Sequence, residues 1–398
     1  MLVFLELGLL FAAVFLAVYV SYFLFVLRTK KKKQYMESLR LAAEEPIALD
    51  QLPEITVLIP AYNEEKTIRS KIKNISEFAY PRQKVEVLIM DDQSTDRTSV
   101  TADSAFIEFG VRGRIIVNDV RSGVNASYNR GIPEADSEYI LTTDADALIP
   151  PDSPLKAVKV LMKFRDVGAV AARMIPISNE TTSATRAAVA YSDSYNSMLI
   201  AESALSSTFP GSTSCMMMRK SAFSPLSTSY GSSDGNLSLS IIRNGFRYIL
   251  APEIAYNEPI SERLFEQRRQ KIRRAARLIQ SIFLNTDMLF KQQYGEFGKK
   301  IFPLRFLMMT LCPVLLFFSV ILLMVFAFSS SVLIFAVLVS STAAILTLGA
   351  RTDIKMLNLL TSFCIHQAYV FAGLLLSSRK MTVWKGIERR SQTIGVSV

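Results

Sequence analysis

The sequence has 398 residues, half of them hydrophobic, and a formal net charge of +10 at pH 7. That length allows one large domain or two smaller ones. The apolar residues are concentrated near the two ends, so the pattern excludes a simple soluble protein and indicates membrane spans around a soluble middle. A nucleic-acid binder is poorly supported, because the excess positive charge lies mostly beside the apolar segments.

Residues 1–27 contain one charge, Glu6, and are long enough to cross the roughly 30 Å hydrocarbon core as a helix. A cleaved signal peptide is the alternative, but the apolar run is too long and a basic n-region is missing. The basic segment 28–33 favours retention on the cytoplasmic side. We therefore expect a membrane anchor at 1–27, a basic linker at 28–53 and a cytoplasmic domain at 54–300 in an integral protein of the cell membrane.

Short apolar strands alternate with amphipathic helices from residue 54 onward. Strands are expected at 55–60, 85–91, 114–119 and from 139, with helices near 64–78, 96–109, 123–135, 153–165 and 180–205. This alternation predicts a doubly wound α/β fold with a mostly parallel sheet. Ligands bind such sheets at the carboxyl ends of the strands. The polar segments PAYNEE, DDQSTD and DADA follow three of these strands, so we expect them to form one site.

Asp144 and Asp146 follow the apolar run YILTT. Side chains two residues apart in an extended chain point in the same direction. Two such carboxylates can hold a hard divalent cation whose other ligands are phosphate oxygens. The alternative is a pair of solvated carboxylates at a strand exit, since Asp-x-Asp alone occurs by chance in many loops.

Four segments in this order resemble the family-2 glycosyltransferases, which have the GT-A fold. They are VLIPAYNEEKTI, VEVLIMDDQSTDRT, LTTDADALIPPD and SSDGNLSLSIIRNGFRYILAPE. The resemblance covers residues 54–280. It implies transfer of a sugar from a UDP- or GDP-sugar donor, with inversion at the anomeric carbon and with Mg²⁺ or Mn²⁺ as cofactor.

The resemblance also assigns roles to particular residues. The donor-nucleotide site would include Pro60, Tyr62, Glu64, Asp92 and Asp144. Asp92 would hold the base, and Asp146, together with Asp144, would bind the metal. Asp234 would be the catalytic base, because an inverting transfer needs one group to take the acceptor's proton.

Three departures from the family pattern affect these expectations. Val124 stands where the family has a lysine, so a phosphate contact is missing or Arg121 replaces it. Ser233 replaces the acid before the catalytic aspartate. The family's Gln-x-x-Arg-Trp motif is matched either by QRRQK, 267–271, or more closely by QKIRR, 270–274. In the second match Gln270 and Arg273 would bind the diphosphate, and Arg274 stands where processive synthases have tryptophan.

The missing tryptophan favours transfer of a single sugar to a lipid-linked acceptor, such as a polyprenyl phosphate, or to another membrane-proximal acceptor. A processive polysaccharide synthase remains the first alternative. An inactive membrane scaffold that kept the fold is the second, supported by Val124 and Ser233.

A run of basic residues precedes the second apolar block: Arg263, Arg268, Arg269, Lys271, Arg273, Arg274 and Arg277. A helix with these residues could rest on anionic lipid headgroups, or some of its arginines could bind phosphate. The two interpretations are compatible. The segment GSTSCMMMR, 211–219, is read either as a buried strand or as a wall of the acceptor pocket.

The second apolar block, 301–378, contains stretches at 302–328, 331–349 and 356–376, and a basic tail follows at 379–398. Three full spans would place that tail outside, against the positive-inside rule. We therefore expect one stretch to be irregular or interfacial, with the first favoured by Pro303, Arg305 and Pro313. The tail would be cytoplasmic, with Trp384 at the interface. The cysteines are too far apart to indicate a disulfide framework or a zinc site.

Overall fold

The computed structural model describes residues 1–27, 31–177, 183–210, 214–259, 264–351 and 354–380. These residues cluster into two compact units. The sheet unit comprises residues 34–175 and 210–259, and the helical unit comprises residues 1–33, 176–209 and 260–380. The predictions for Arg263 and Trp384 lie outside the described residues.

The strands, in chain order, are β1 Ile55–Ala61, β2 Val85–Asp91, β3 Gly113–Val117, β4 Tyr139–Thr143, β5 Val167–Ile177, β6 Cys215–Arg219 and β7 Arg247–Pro259. They form one sheet in the order β3-β2-β1-β4-β6-β5-β7. The pairs β1–β2, β2–β3 and β1–β4 are parallel, whereas β6 runs antiparallel to both β4 and β5. The predicted mostly parallel α/β fold is confirmed, with an antiparallel portion that the sequence did not predict.

The helices, in chain order, are α1 Leu2–Leu27, α2 Lys31–Glu44, α3 Ile68–Ser76, α4 Thr98–Phe109, α5 Val124–Glu134, α6 Ser153–Lys163, α7 Ser183–Leu205, α8 Ser233–Arg243, α9 Leu264–Leu284, α10 Phe302–Met309, α11 Leu311–Ser330, α12 Val332–Arg351 and α13 Lys355–Leu376. In the sheet unit, α3 is strongly amphipathic and buries Ile68, Ile72 and Ile75. Burial of such side chains, at about 25 cal/mol per Å² of apolar surface, is the main stabilising contribution to this unit.

The strand register places the predicted polar segments at one edge of the sheet. Ala61 of β1 lies opposite Asp91 of β2, and Asp91 lies opposite Val117 of β3. Leu58 pairs with Thr142, so β4 ends beside the end of β1. The loops after these four strands therefore emerge together, as the sequence predicted.

The segment GSTSCMMMR was read either as a buried strand or as a wall of the acceptor pocket, and its described part contains the buried strand β6. Its residues from Cys215 to Met218 are at most 2% exposed, and they pair with β4 on one side and β5 on the other. Methionine suits such a position because its flexible side chain fills irregular apolar space. Residues 211–213 lie outside the described part of the chain.

Within the described residues, the helical unit has four segments that are long and apolar enough to cross a membrane. They are Leu2–Val26, Phe297–Ser330, Val332–Gly349 and Met356–Leu376. The second segment is irregular, because it begins with a π-helical turn at Phe297–Ile301 and breaks at Thr310 between α10 and α11.

A buried ion pair joins three helices of the helical unit. Nε of Arg305, on α10, lies 2.8 Å from Oε1 of Glu202, on α7. The hydroxyl of Tyr22, on α1, donates to Oε1 of Glu202 at 2.6 Å, and that of Thr208 donates to Oε2 at 2.6 Å. Both charged side chains are almost completely buried, so this cluster fixes α1, α7 and α10 to one another.

Candidate active site

The loops after β1 and β2 are tied together by hydrogen bonds. Asn63 has a left-handed backbone with φ of 56°, which asparagine tolerates better than most residues. Its side-chain oxygen accepts a hydrogen bond from the Thr95 N–H at 2.8 Å. The N–H of Glu64 donates to Oγ1 of Thr98 at 2.8 Å. These bonds hold the predicted donor residues Tyr62 and Glu64, both half-buried, in a fixed loop.

Arg121, in the segment between β3 and α5, contacts this loop. Its guanidinium carbon is 3.5 Å from the centroid of the Tyr62 ring, a cation–π contact. The sequence offered Arg121 as the substitute for the missing lysine at Val124. Val124 begins α5 and is 38% exposed. The structure therefore places Arg121 beside a predicted donor residue.

Asp92 begins the loop after β2 and is 6% exposed. Its Oδ1 accepts hydrogen bonds from the N–H of Ser122 at 2.8 Å and from the side chain of Asn118 at 3.0 Å. Its Oδ2 accepts from the N–H of Gly123 at 2.8 Å. The carboxylate thus holds the turn that leads into α5. Oδ2 has capacity for a further donor, whereas Oδ1 already accepts two, so the predicted contact with the base stays a prediction.

The turn after β4 carries Asp144 and Asp146, and both residues are half-buried. Oδ2 of Asp144 accepts a hydrogen bond from the hydroxyl of Ser214 at 2.7 Å. The N–H of Ala147 returns to the carbonyl of Asp144 at 3.3 Å, which closes the turn. The two carboxylates therefore stand at the same sheet edge as Tyr62 and Asp92.

A fully buried lysine lies beneath this turn, and sequence reasoning missed it. Lys71 is on α3, and its ammonium donates to Oγ1 of Thr143 at 2.7 Å and to the carbonyl of Ala147 at 2.6 Å. Desolvation lowers the pKa of Lys71 to about 7, against a smaller opposing effect of Cys215 and Asp144. A signal was present, since Lys71 shares the apolar face of α3 with Ile68 and Ile72.

Asp234 lies in the first turn of α8, after the cap formed by Ser232. The loop before α8 is clamped by two asparagine side chains, because Asn125, on α5, and Asn236, on α8, both donate to the carbonyl of Ser227. Gly231, with φ of 86°, has room for no side chain: a Cβ there would lie 2.2 Å from Oδ1 of Asn236. The start of α8 is therefore tied to α5, whose own start is held by Asp92.

Gln270 and Arg273, the predicted diphosphate ligands, lie on α9 in the helical unit. Desolvation, followed by the positive charges of Arg274, Arg277 and Arg269, lowers the pKa of Arg273 to about 9. A bound anion would relieve this unfavourable environment for a cation. The structure thus groups six predicted site residues at the sheet edge, anchors Asp234 to the same unit, and assigns Gln270 and Arg273 to the other unit.

The carboxylates at the sheet edge suit a divalent cation that is bound partly by the protein and partly by a substrate. The described residues contain no group of three or more histidine, cysteine, aspartate or glutamate side chains able to hold a metal ion. Asp144 and Asp146 supply two carboxylates. Mg²⁺ is commonly bound by one or two carboxylates together with substrate phosphates and water, so these two residues suit a metal that arrives with a diphosphate.

The mostly parallel sheet, its antiparallel portion and the polar strand ends define a GT-A glycosyltransferase fold. Residues 56–226 match the sequence profile described as "Glycosyl transferase family 2". Residues 56–226 are therefore similar to this family over less than half of the chain. The mannosyltransferase PcManGT from Pyrobaculum calidifontis, solved with GDP-Man and Mn²⁺, has the same fold, with a TM-score of 0.70 and 24% identity over 92% of this chain and 99% of that chain.

Two curated relatives are similar over parts of their length. An N-acetylglucosaminyltransferase from Azorhizobium caulinodans is 26% identical over 58% of this chain and 62% of that protein. A poly-beta-1,6-N-acetyl-D-glucosamine synthase from Staphylococcus epidermidis is 27% identical over 41% of this chain and 37% of that protein. The chain thus spans less than two thirds of either relative.

Proposed function

We propose that the protein is a membrane-bound, metal-dependent, inverting glycosyltransferase. It would transfer one sugar from a nucleotide-diphosphate sugar to a lipid-linked or membrane-proximal acceptor at the cytoplasmic face. The observation that carries this proposal is the meeting of Tyr62, Asp92, Asp144 and Asp146 at one sheet edge, on loops that hydrogen bonds hold in place. Such an edge is where α/β sheets bind nucleotides.

In the proposed reaction, an acceptor oxygen attacks the anomeric carbon from the face opposite the diphosphate. The bond between that carbon and the diphosphate oxygen breaks, and the electron pair leaves with the diphosphate. Asp234 takes the acceptor's proton. Its place in the first turn of α8, in the same unit as the sheet-edge residues, supports this role.

Asp144 and Asp146 would hold the metal, with phosphate oxygens of the donor as further ligands. When bound, Mg²⁺ or Mn²⁺ stabilises the negative charge that develops on the leaving diphosphate. Tyr62 and Asp92 would orient the nucleoside, and Gln270 and Arg273 would bind the diphosphate through charge-assisted hydrogen bonds. The hydrogen bonds between the first two loops support a preformed nucleoside site.

Two features support an acceptor in the membrane. Four segments of the described chain can span a bilayer, and α9 carries the basic residues that suit anionic headgroups or phosphates. Both UDP- and GDP-sugars are candidate donors, since the solved structure of similar fold holds GDP-Man while the two relatives are named for N-acetylglucosamine. Arg274 stands where processive synthases have tryptophan, and the missing tryptophan favours single-sugar transfer over polymerisation.

The test is nucleotide-diphosphate release by the purified full chain with a panel of UDP- and GDP-sugars, with Mg²⁺ or Mn²⁺, and with or without polyprenyl phosphate. Release should need metal and should rise with the lipid. Asp234→Asn should lower turnover about a hundredfold or more, the usual contribution of a general base. Asp103→Asn, which removes an exposed carboxylate on α4, should leave it unchanged.

Three outcomes would contradict the proposal in different ways. Unchanged turnover of Asp234→Asn would remove this residue from the base role. A long polymer as product would favour the processive alternative. Absence of donor binding by the wild type, with identical behaviour of Asp146→Ala, would favour an inactive scaffold.

A further inference from the structure

Lys71 occupies an environment that opposes its charge. The side chain is completely buried, and both of its hydrogen-bond acceptors, Oγ1 of Thr143 and the carbonyl of Ala147, are neutral. Burial of a cationic group is costly unless the surroundings compensate for it. An apolar side chain on this face of α3 would pack beside Ile68 and Ile72 without that cost. The presence of a lysine here therefore calls for a reason other than core packing.

The two acceptors of Lys71 flank the predicted metal ligands. Thr143 immediately precedes Asp144, and Ala147 immediately follows Asp146 in the loop. One ammonium group therefore forms a hydrogen bond at each end of the turn, and Asp144 and Asp146 lie between the two contacts. A cation with several rotatable donors is suited to such a double contact.

The hydrogen bonds continue from Lys71 to Asp144. Thr143 accepts from Lys71 and donates its hydroxyl hydrogen to the carbonyl of Ser214 at 2.7 Å. The hydroxyl of Ser214 in turn donates to Oδ2 of Asp144 at 2.7 Å. A displaced Lys71 would therefore disturb the turn directly and also through the residue that orients one carboxylate.

A second residue of α3 holds the same loop one turn of helix further along. The side-chain amide of Asn74 donates to the carbonyl of Ile149 and accepts from its N–H, both at 2.9 Å. Helix α3 thus supports the segment from Thr143 to Ile149 from beneath. Lys71 is the support nearest to the two carboxylates.

We propose that Lys71 is a positioning residue that holds Asp144 and Asp146 in the arrangement that binds a divalent cation together with the donor diphosphate. This inference rests on the proposed function. Residues that orient metal ligands through hydrogen bonds commonly contribute a factor of about 10–100 to metal affinity. The effect of Lys71 should therefore be visible in metal binding itself, before any chemistry.

The first experiment compares Lys71→Met with Lys73→Met in the purified full chain. Lys73 is exposed on the same helix, so its replacement is a matched control for charge and helix propensity. Mn²⁺ binding is followed from the loss of the free-ion electron paramagnetic resonance signal, in the presence of the nucleoside diphosphate released from the preferred donor. Lys71→Met should weaken Mn²⁺ binding about tenfold or more, and Lys73→Met should match the wild type.

Kinetics supply a second readout. The KM for metal and for donor should rise in Lys71→Met more than kcat falls, because misplaced carboxylates weaken binding before they affect the proton transfer at Asp234. Wild-type Mn²⁺ affinity and wild-type KM values in a folded Lys71→Met protein would overturn the inference. Failure of the wild type to bind Mn²⁺ with any nucleotide would instead overturn the proposed function.

A second pair of variants covers the case in which Lys71→Met does not fold. Thr143→Val removes the hydroxyl that links Lys71 to Ser214, whereas Thr143→Ser keeps it. Valine should weaken Mn²⁺ binding severalfold, and serine should restore it to near the wild-type value. Equal Mn²⁺ affinities for the two variants would overturn the inference.

Discussion

Among the described residues, each unit of the molecule has one buried basic side chain, and the two have different partners. Arg305, in the helical unit, lies against the carboxylate of Glu202, which also accepts hydrogen bonds from Tyr22 and Thr208. Lys71, in the sheet unit, donates to two neutral oxygens. In the first arrangement an opposite charge in direct contact compensates the buried charge. In the second, the direct contacts are neutral, and Cys215 and Asp144 add only an electrostatic effect smaller than the desolvation.

The difference in partners indicates different roles for the two residues. Arg305 joins helices to one another, whereas Lys71 holds a loop of the candidate site. The Arg305–Glu202 pair joins three helices and gives them one defined arrangement. Lys71 lies under the predicted metal ligands, where a bound cation and an anionic diphosphate would change the local charge. Perturbed ionisable groups concentrate at functional sites, so the lysine without a carboxylate in direct contact is the more informative of the two.

The largest loss of stability is expected when only one residue of the buried ion pair is replaced. Glu202→Leu leaves the guanidinium of Arg305 buried without its anion, which typically destabilises a protein by about 3–5 kcal/mol. The unfolding temperature of the detergent-solubilised protein should fall accordingly.

The double variant Glu202→Leu/Arg305→Met is the control for this prediction. Replacement of a whole buried pair by apolar side chains is often close to neutral. The double variant should therefore unfold at a higher temperature than Glu202→Leu. If it is as unstable as the single variant, the charge of Arg305 is not the cause of the loss.

An intermediate effect is expected from the titration of Lys71. The folded-state pKa is lowered to about 7 from 10.5, so between these values the unfolded chain binds the additional proton. The free energy of unfolding therefore rises with pH in this window, and the burial penalty is complete at pH below about 7. Relative to Lys71→Met, the wild type should gain about 2 kcal/mol between pH 7 and pH 9.

The measurement is the difference between the unfolding free energies of the two proteins across that range. A difference is required because Cys215, whose pKa burial raises to about 12, opposes the trend in both proteins. A pH-independent difference would mean that Lys71 keeps its proton throughout, as a carboxylate partner would require.

The smallest effect is expected where an ion pair is exposed. Arg69 and Glu108 form a salt bridge between α3 and α4, with about half of each side chain exposed to solvent. Such pairs contribute about 0–1 kcal/mol, because water and salt screen them. Glu108→Gln should change the unfolding temperature little, and a loss comparable to that of Glu202→Leu would contradict the role given to burial.

Much of the sheet was predictable, because its signals are local. The first four strands were recognised from continuous apolar runs, and a candidate site was predicted from polar residues that follow β1, β2 and β4. The antiparallel β6 between β4 and β5 was not predicted, since an apolar run such as CMMM indicates burial without specifying its neighbours.

The sequence by itself determined the alternation of strands and helices, the candidate spans, the resemblance to the family-2 glycosyltransferases and the carboxylates at the sheet edge. Each of these follows from residue type and short spacing. Only the tertiary structure decided that Lys71 supports the turn at Asp144, that Asn125 clamps the loop before Asp234, and that Arg305 pairs with Glu202. These contacts join residues about 70 to 100 positions apart, and hydrogen bonds at such separations depend on how the chain folds back on itself, which no local pattern encodes.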